Sequence, residues 1–132
     1  MRPMQQLPFD IDVQTAFLAE QSAPERHVFA FSYTITITNT GTAPAQLIAR
    51  HWVIQDAEGP QDDVRGLGVV GQQPLLRPGE HFQYTSGCHL RSETGSMEGS
   101  YRFVTEEGDP FDIPIPRFVL DVAQGGALRV LH

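Results

Sequence analysis

The segment richest in chemical suggestion is Gly66-Leu67-Gly68-Val69-Val70-Gly71, which matches G-x-G-x-x-G letter for letter. In a dinucleotide-binding fold such glycines make a tight turn after a strand, and the amides of the helix that follows hold a pyrophosphate. Here Gln72-Gln73-Pro74-Leu75-Leu76-Arg77-Pro78 follows. Pro74 and Pro78 forbid that helix, and no strand–helix–strand unit surrounds the motif, so the dinucleotide reading is excluded. Two other readings stay open. The loop amides, with Arg65 beside them, could form a nest for an anion, which makes Arg65, Gly66, Gly68 and Gly71 the candidate binding set. Alternatively, the glycines permit a bulge or a close approach of neighbouring strands.

The remaining constellations are weaker. Thr85-Ser86-Gly87-Cys88-His89 sets Ser, Cys and His in a row, whereas a catalytic triad converges from separate elements, and G-x-S-x-G is absent. His27, His51, His81, His89 and His132 lack zinc-site spacing, and Cys88 and His89 fall on opposite faces of a strand. Asp10 and Asp12 share a strand face, and Glu106, Glu107, Asp109 and Asp112 gather at a turn. Without calcium-loop spacing these read as solvated acidic surface. No catalytic residue, metal or cofactor is assigned on these grounds.

Composition bounds the function further. Sixteen acids against nine basic residues give a net charge of −7. That balance supplies no basic stripe for phosphates, which argues against a nucleic-acid partner. All nine basic residues are arginine. The single cysteine cannot form an internal disulfide. No apolar run approaches the roughly 20 residues of a membrane span and no signal-peptide core is visible, so the expectation is a cytoplasmic protein with no membrane partner.

The elements that must position these residues are strands. Val28 to Thr38 alternates strictly, with Phe29, Phe31, Tyr33, Ile35 and Ile37 on one face and small or hydroxylated residues on the other. Further strands are expected at about Phe9–Phe17, Gln46–Gln55, Val64–Val70, His81–Leu90, Met97–Thr105 and Phe111–Ile115. Trp52 reads as the buried aromatic of a central strand. Arg77-Pro78-Gly79-Glu80 fits a type II turn, and Glu106-Glu107-Gly108-Asp109 fits a hairpin turn. Pro114 and Pro116 place the last strand at an edge or break it. Only Val119–Leu131 is ambiguous between strand and helix, and Gly125-Gly126 interrupts it. The 132 residues therefore read as one all-β domain of seven to eight antiparallel strands, a sandwich before a closed barrel, with residues 1–8 expected to be flexible.

Five segments in order go beyond generic strand patterning. They are Leu47–Trp52 (LIARHW), Gly66–Pro74 (GLGVVGQQP), Pro78–Gly87 (PGEHFQYTSG), Gly95–Tyr101 (GSMEGSY) and Phe111–Phe118 (FDIPIPRF). Together they resemble the ApaG family over essentially the whole chain. The resemblance implies an immunoglobulin/fibronectin type III-like sandwich and a bacterial cytoplasmic protein. It also implies a link to cobalt resistance and magnesium efflux, and kinship with domains that bind partners inside larger proteins. It carries no catalytic residues; its phosphate-binding proposal falls on Gly66, Gly68 and Gly71. The expected function is a non-enzymatic module that binds another protein through the Gly66–Pro74 segment or the Arg91–Ser96 loop. The alternative is a protein that binds pyrophosphate or a nucleotide polyphosphate at the glycine loop. Edge strands would also allow a homodimer.

Overall fold

The structure is a computed structural model that describes residues 8–124. Residues 1–7 and the ambiguous stretch beyond residue 124, including His132, lie outside the described residues. Eight strands are described: β1 (Phe9–Phe17), β2 (Phe29–Asn39), β3 (Ala45–Asp56), β4 (Gln61–Leu67), β5 (Leu75–Leu76), β6 (His81–Leu90), β7 (Thr94–Thr105) and β8 (Pro110–Asp121). They form two antiparallel sheets, ordered β1-β2-β6 and β4-β3-β7-β8, with the short β5 also pairing with β3. The chain lays down β1 and β2, crosses to the other sheet for β3 and β4, returns as β6, and crosses again for β7 and β8. Three strands facing four in this order is the fibronectin type III-like sandwich.

Period-two patterning explains the core. In β2, Phe31, Tyr33, Ile35 and Ile37 are buried while Ser32, Thr34 and Thr36 between them are partly exposed. The facing sheet contributes Leu47, Trp52, Met97, Tyr101, Phe103, Ile113 and Leu120, each at most 2% exposed. A fully buried side chain of this kind is stabilised by about 1.5–3 kcal/mol relative to exposure. Trp52 lies in the central strand β3, edge-on to Tyr33, Tyr101 and Phe118. Of the turns, Glu80 N donates to Arg77 O across Pro78-Gly79, with Gly79 at φ +86°, as a type II turn requires.

Two expected strand bounds are corrected. The fourth strand spans Gln61–Leu67 rather than Val64–Val70, because the chain turns back after Gly68, which stands at φ +64°. The final strand does not stop at Ile115 but continues to Asp121. Pro114 survives within it because the strand bonds a neighbour, β7, on one side only. The face alternation in β3 is broken by an irregularity between Leu47 and Ala49 in its pairing with β7. Ala45 and Leu47 face the core before it, and Trp52 faces the core after it. That shift turns Arg50 inward.

Candidate functional site

The glycine motif divides into two structural pieces. Gly66 is inside β4, opposite Arg50 of β3. A Cβ at Gly66 would sit 2.8 Å from the Arg50 guanidinium nitrogens, so the glycine leaves room for that side chain to cross the strand. Arg50 Nη1 then donates to Leu67 O at 3.0 Å and to Gly68 O at 2.9 Å. At Gly68 a Cβ would meet Gln72 O at 2.4 Å, and its positive φ independently favours glycine.

Beyond Gly68 the chain forms a two-residue hairpin turn. Val69 N donates to Gln72 O and Gln72 N to Val69 O, both at 2.9 Å. The two residues between them, Val70 and Gly71, have φ +43° and +80°, the left-handed pair that a primed hairpin turn needs. A β-branched residue rarely adopts that conformation. Val69 holds the turn down, fully buried, while Leu67, Val70 and Leu75 around it are 74%, 54% and 47% exposed. The loop therefore combines a fixed backbone with apolar side chains held out to solvent.

The amides of Gly68, Val69 and Gln72 are already engaged, the first with Ile48 O at 2.7 Å. Gly71 faces open space. Arg65 and Gly66 instead line an open cleft of about 490 Å³ with His51, Leu67, Ser100 and Arg102. Of the candidate binding set, the structure thus brings Arg65 and Gly66 together, and leaves Gly68 and Gly71 at the turn. Arg102 is held by Asp112 in a forked pair at 2.9 and 3.2 Å; the same pair holds Asp112 below the usual carboxylate range. His51 Nε2 lies 3.6 Å from Asp63 Oδ2.

A polar hub that no sequence pattern announces lies at the other end of β3. Asp56 is 8% exposed. It accepts hydrogen bonds from Arg91 N and Ser92 Oγ at 2.5 Å and from Glu58 N at 3.1 Å. Burial alone would raise its pKa, but the Ser92 hydroxyl and the two amides outweigh it and hold the carboxyl below the ordinary range. The expected Arg91–Ser96 loop is only Arg91–Glu93, because β7 already begins at Thr94; Ser92 is buried in that loop and Ser96 within the strand. No sequence spacing announces a partner 36 residues away.

The nucleophile candidates are placed apart. Burial pushes the Cys88 thiol up to about 11, with Asp56 and Asp62 adding to it, so it stays protonated near neutrality. His89 is exposed on the opposite side of β6. Deeper in, the Tyr84 and Tyr101 hydroxyls share a 2.5 Å hydrogen bond, and burial raises both pKa values. Such a pair satisfies two polar groups in an apolar core. Among the described residues, no three His, Cys, Asp or Glu side chains are grouped to hold a metal ion. No described helix is long and apolar enough to cross a membrane.

Fold and site together define a small fibronectin type III-like sandwich that presents a braced, glycine-shaped hairpin at one edge. The ApaG domain family model matches residues 19–105, and the chain belongs to that family. It is 57% identical to Protein ApaG of Acidovorax sp. (strain JS42), covering 98% of this chain and 99% of that one. It is 56% identical to Protein ApaG of Thiobacillus denitrificans, covering 93% of each. A Bordetella pertussis crystal structure described as an ApaA protein superposes with a TM-score of 0.83 at 52% identity, over 86% of this chain and 92% of that one.

Proposed function

We propose that this chain is a non-enzymatic cytoplasmic module that binds another protein through the hairpin between β4 and β5. The observation that carries the reading is the strained, anchored turn. Val70 is held at positive φ, with Val69 buried beneath it and Leu67, Val70 and Leu75 projecting outward. Strained backbone that the surrounding structure holds in place is concentrated at functional segments, and an apolar cluster held out to solvent on a fixed loop marks a surface suited to a protein contact. On this reading the family's link to cobalt and magnesium is exerted through the partner. The test is affinity capture from the native cytoplasm with the parent chain and a folded L67S/V70S variant. A partner that returns reproducibly with the parent and is lost with the variant supports the reading. No reproducible partner, or equal capture by both, contradicts it.

The second reading is a site for pyrophosphate or a nucleotide polyphosphate, favoured by the exposed Arg65 beside Gly66 in the cleft. It rests on that guanidinium more than on the turn amides, three of which are engaged. Amide shift mapping with pyrophosphate supports it if shifts are confined to Arg65–Gly71 and the neighbouring cleft. Unchanged spectra at millimolar ligand end it.

A further inference from the structure

β4 borders its sheet, and every residue from Gln61 to Arg65 is exposed. Its ladder shows which backbone groups are unused. Gly68 N bonds Ile48 O, and the β3–β4 register continues from that pair without irregularity, Arg50 facing Gly66 and Trp52 facing Val64. Antiparallel pairs alternate between bonded and non-bonded. The backbone groups of Gly66, Val64 and Asp62 therefore point to β3, and those of Gln61, Asp63, Arg65 and Leu67 point away from the sheet. Of these, Leu67 O already accepts from Arg50. Among the described residues, the run left free is centred on Asp63 and Arg65.

Side chains alternate in the same rhythm. Asp63 lies on the outer face beside His51, as does Arg65 in the cleft. Asp62, Val64 and Gly66 lie on the face toward the other sheet, where Arg50 covers Gly66. Proline blocks the opposite border of this sheet: β8 carries Pro110, Pro114 and Pro116. β4 has no proline, and its edge charges are Asp62, Asp63 and Arg65; such charges turn away most added strands and admit one whose charges are complementary.

We propose that β4 is a homodimer seam, pairing antiparallel with β4 of a second copy about a two-fold axis at Val64. This register is self-complementary. Asp63 of each copy faces Arg65 of the other, and both residues present the outward amides and carbonyls that the new ladder uses. Asp62 faces the partner's Gly66, and hence the guanidinium of the partner's Arg50 above it. Val64, 39% exposed, meets its own symmetry mate in the closer, non-bonded position. The neighbouring two-fold registers set Asp63 against Asp63 or Arg65 against Arg65, and like charges directly opposite are destabilising. The charges thus select one register out of three, and the two sheets join into one.

The proposal goes beyond partner capture by the hairpin and is separable from it. The experiment is sedimentation equilibrium, from micromolar to millimolar chain, of the parent, D63R, R65D and the D63R/R65D swap, each checked for folding by its amide spectrum. The parent associates to a dimer. Each single reversal creates two like-charge pairs and weakens dimerisation at least about tenfold. The double swap restores the complementarity and the dimer. A parent that is monomeric at millimolar concentration overturns the seam, as do single reversals that leave the dimer intact or a folded swap that stays monomeric. None of these results bears on capture through Leu67 and Val70, which the L67S/V70S comparison tests alone.

Discussion

The two borders of the larger sheet are built oppositely. β8 is twelve residues long and carries three prolines; Pro110 and Pro114 lie opposite Val104 and Ser100 of β7, where a missing N–H costs nothing because, among the described residues, no strand pairs with the outward side. β4 is seven residues long and keeps its outward amides. It is also braced at both ends. Arg50 reaches across Gly66 to the carbonyls of Leu67 and Gly68, and Asp56 ties the β3–β4 turn to Arg91 and Ser92. One border is closed by covalent chemistry, while the other is held rigid and left open. Rigidity at an open edge reduces the ordering cost of binding, which is why the functional reading falls on β4 and its hairpin.

The largest expected effect comes from cutting the brace at Asp56. D56A leaves the Ser92 hydroxyl and two amides without their charged acceptor, and urea denaturation should show a loss of about 3 kcal/mol. The parent's pH dependence follows from the same group. Its folded pKa is depressed, so its contribution is complete above the unfolded carboxylate value of about 4 and is lost as pH falls through the lower folded value. Stability of the parent should fall in that acid window. D56A should lack that part of the slope, and parallel curves would remove Asp56 from this role.

A pair of proline substitutions sharpens the contrast between the borders. V64P deletes an amide that bonds β3 and should cost about 2 kcal/mol. R65P deletes an outward amide, as β8 does naturally, and should change stability by less than about 0.5 kcal/mol while abolishing the dimer. Equal destabilisation by both would show that the alternation along β4 is assigned wrongly. The stability effect expected at Gly66 lies between these two. A methyl there meets only the end of a flexible arginine, so G66A should cost about 1 kcal/mol by thermal unfolding and displace the Arg50 guanidinium signal.

Much of the fold was legible in the residues because its determinants are local. Alternation from Phe29 to Ile37 set the core face of β2, Pro78-Gly79 set the turn that leads into β6, and the prolines near Ile115 marked the border strand. What escaped depends on contacts distant in sequence. The irregularity after Leu47 reverses which residues of β3 face inward, and apolar residues on both faces of that strand concealed it. Gly66 looked like part of a phosphate motif until Arg50, sixteen positions away, explained its missing side chain. Asp56 looked like an ordinary turn residue because Ser92 reaches it only through the sandwich. The glycine motif spans the last two residues of a strand and a hairpin turn, and letter patterns do not distinguish those settings from a phosphate loop.

Amide hydrogen exchange along β4, read residue by residue at low and high chain concentration, tests the open-edge account most directly. Asp62, Val64 and Gly66 should be protected at both concentrations, since their amides bond β3. Asp63 and Arg65 should exchange freely when dilute and gain at least about tenfold protection when concentrated, as the second copy covers the edge. Exchange at Asp63 and Arg65 that is already slow when dilute, or unchanged by concentration, would contradict the account.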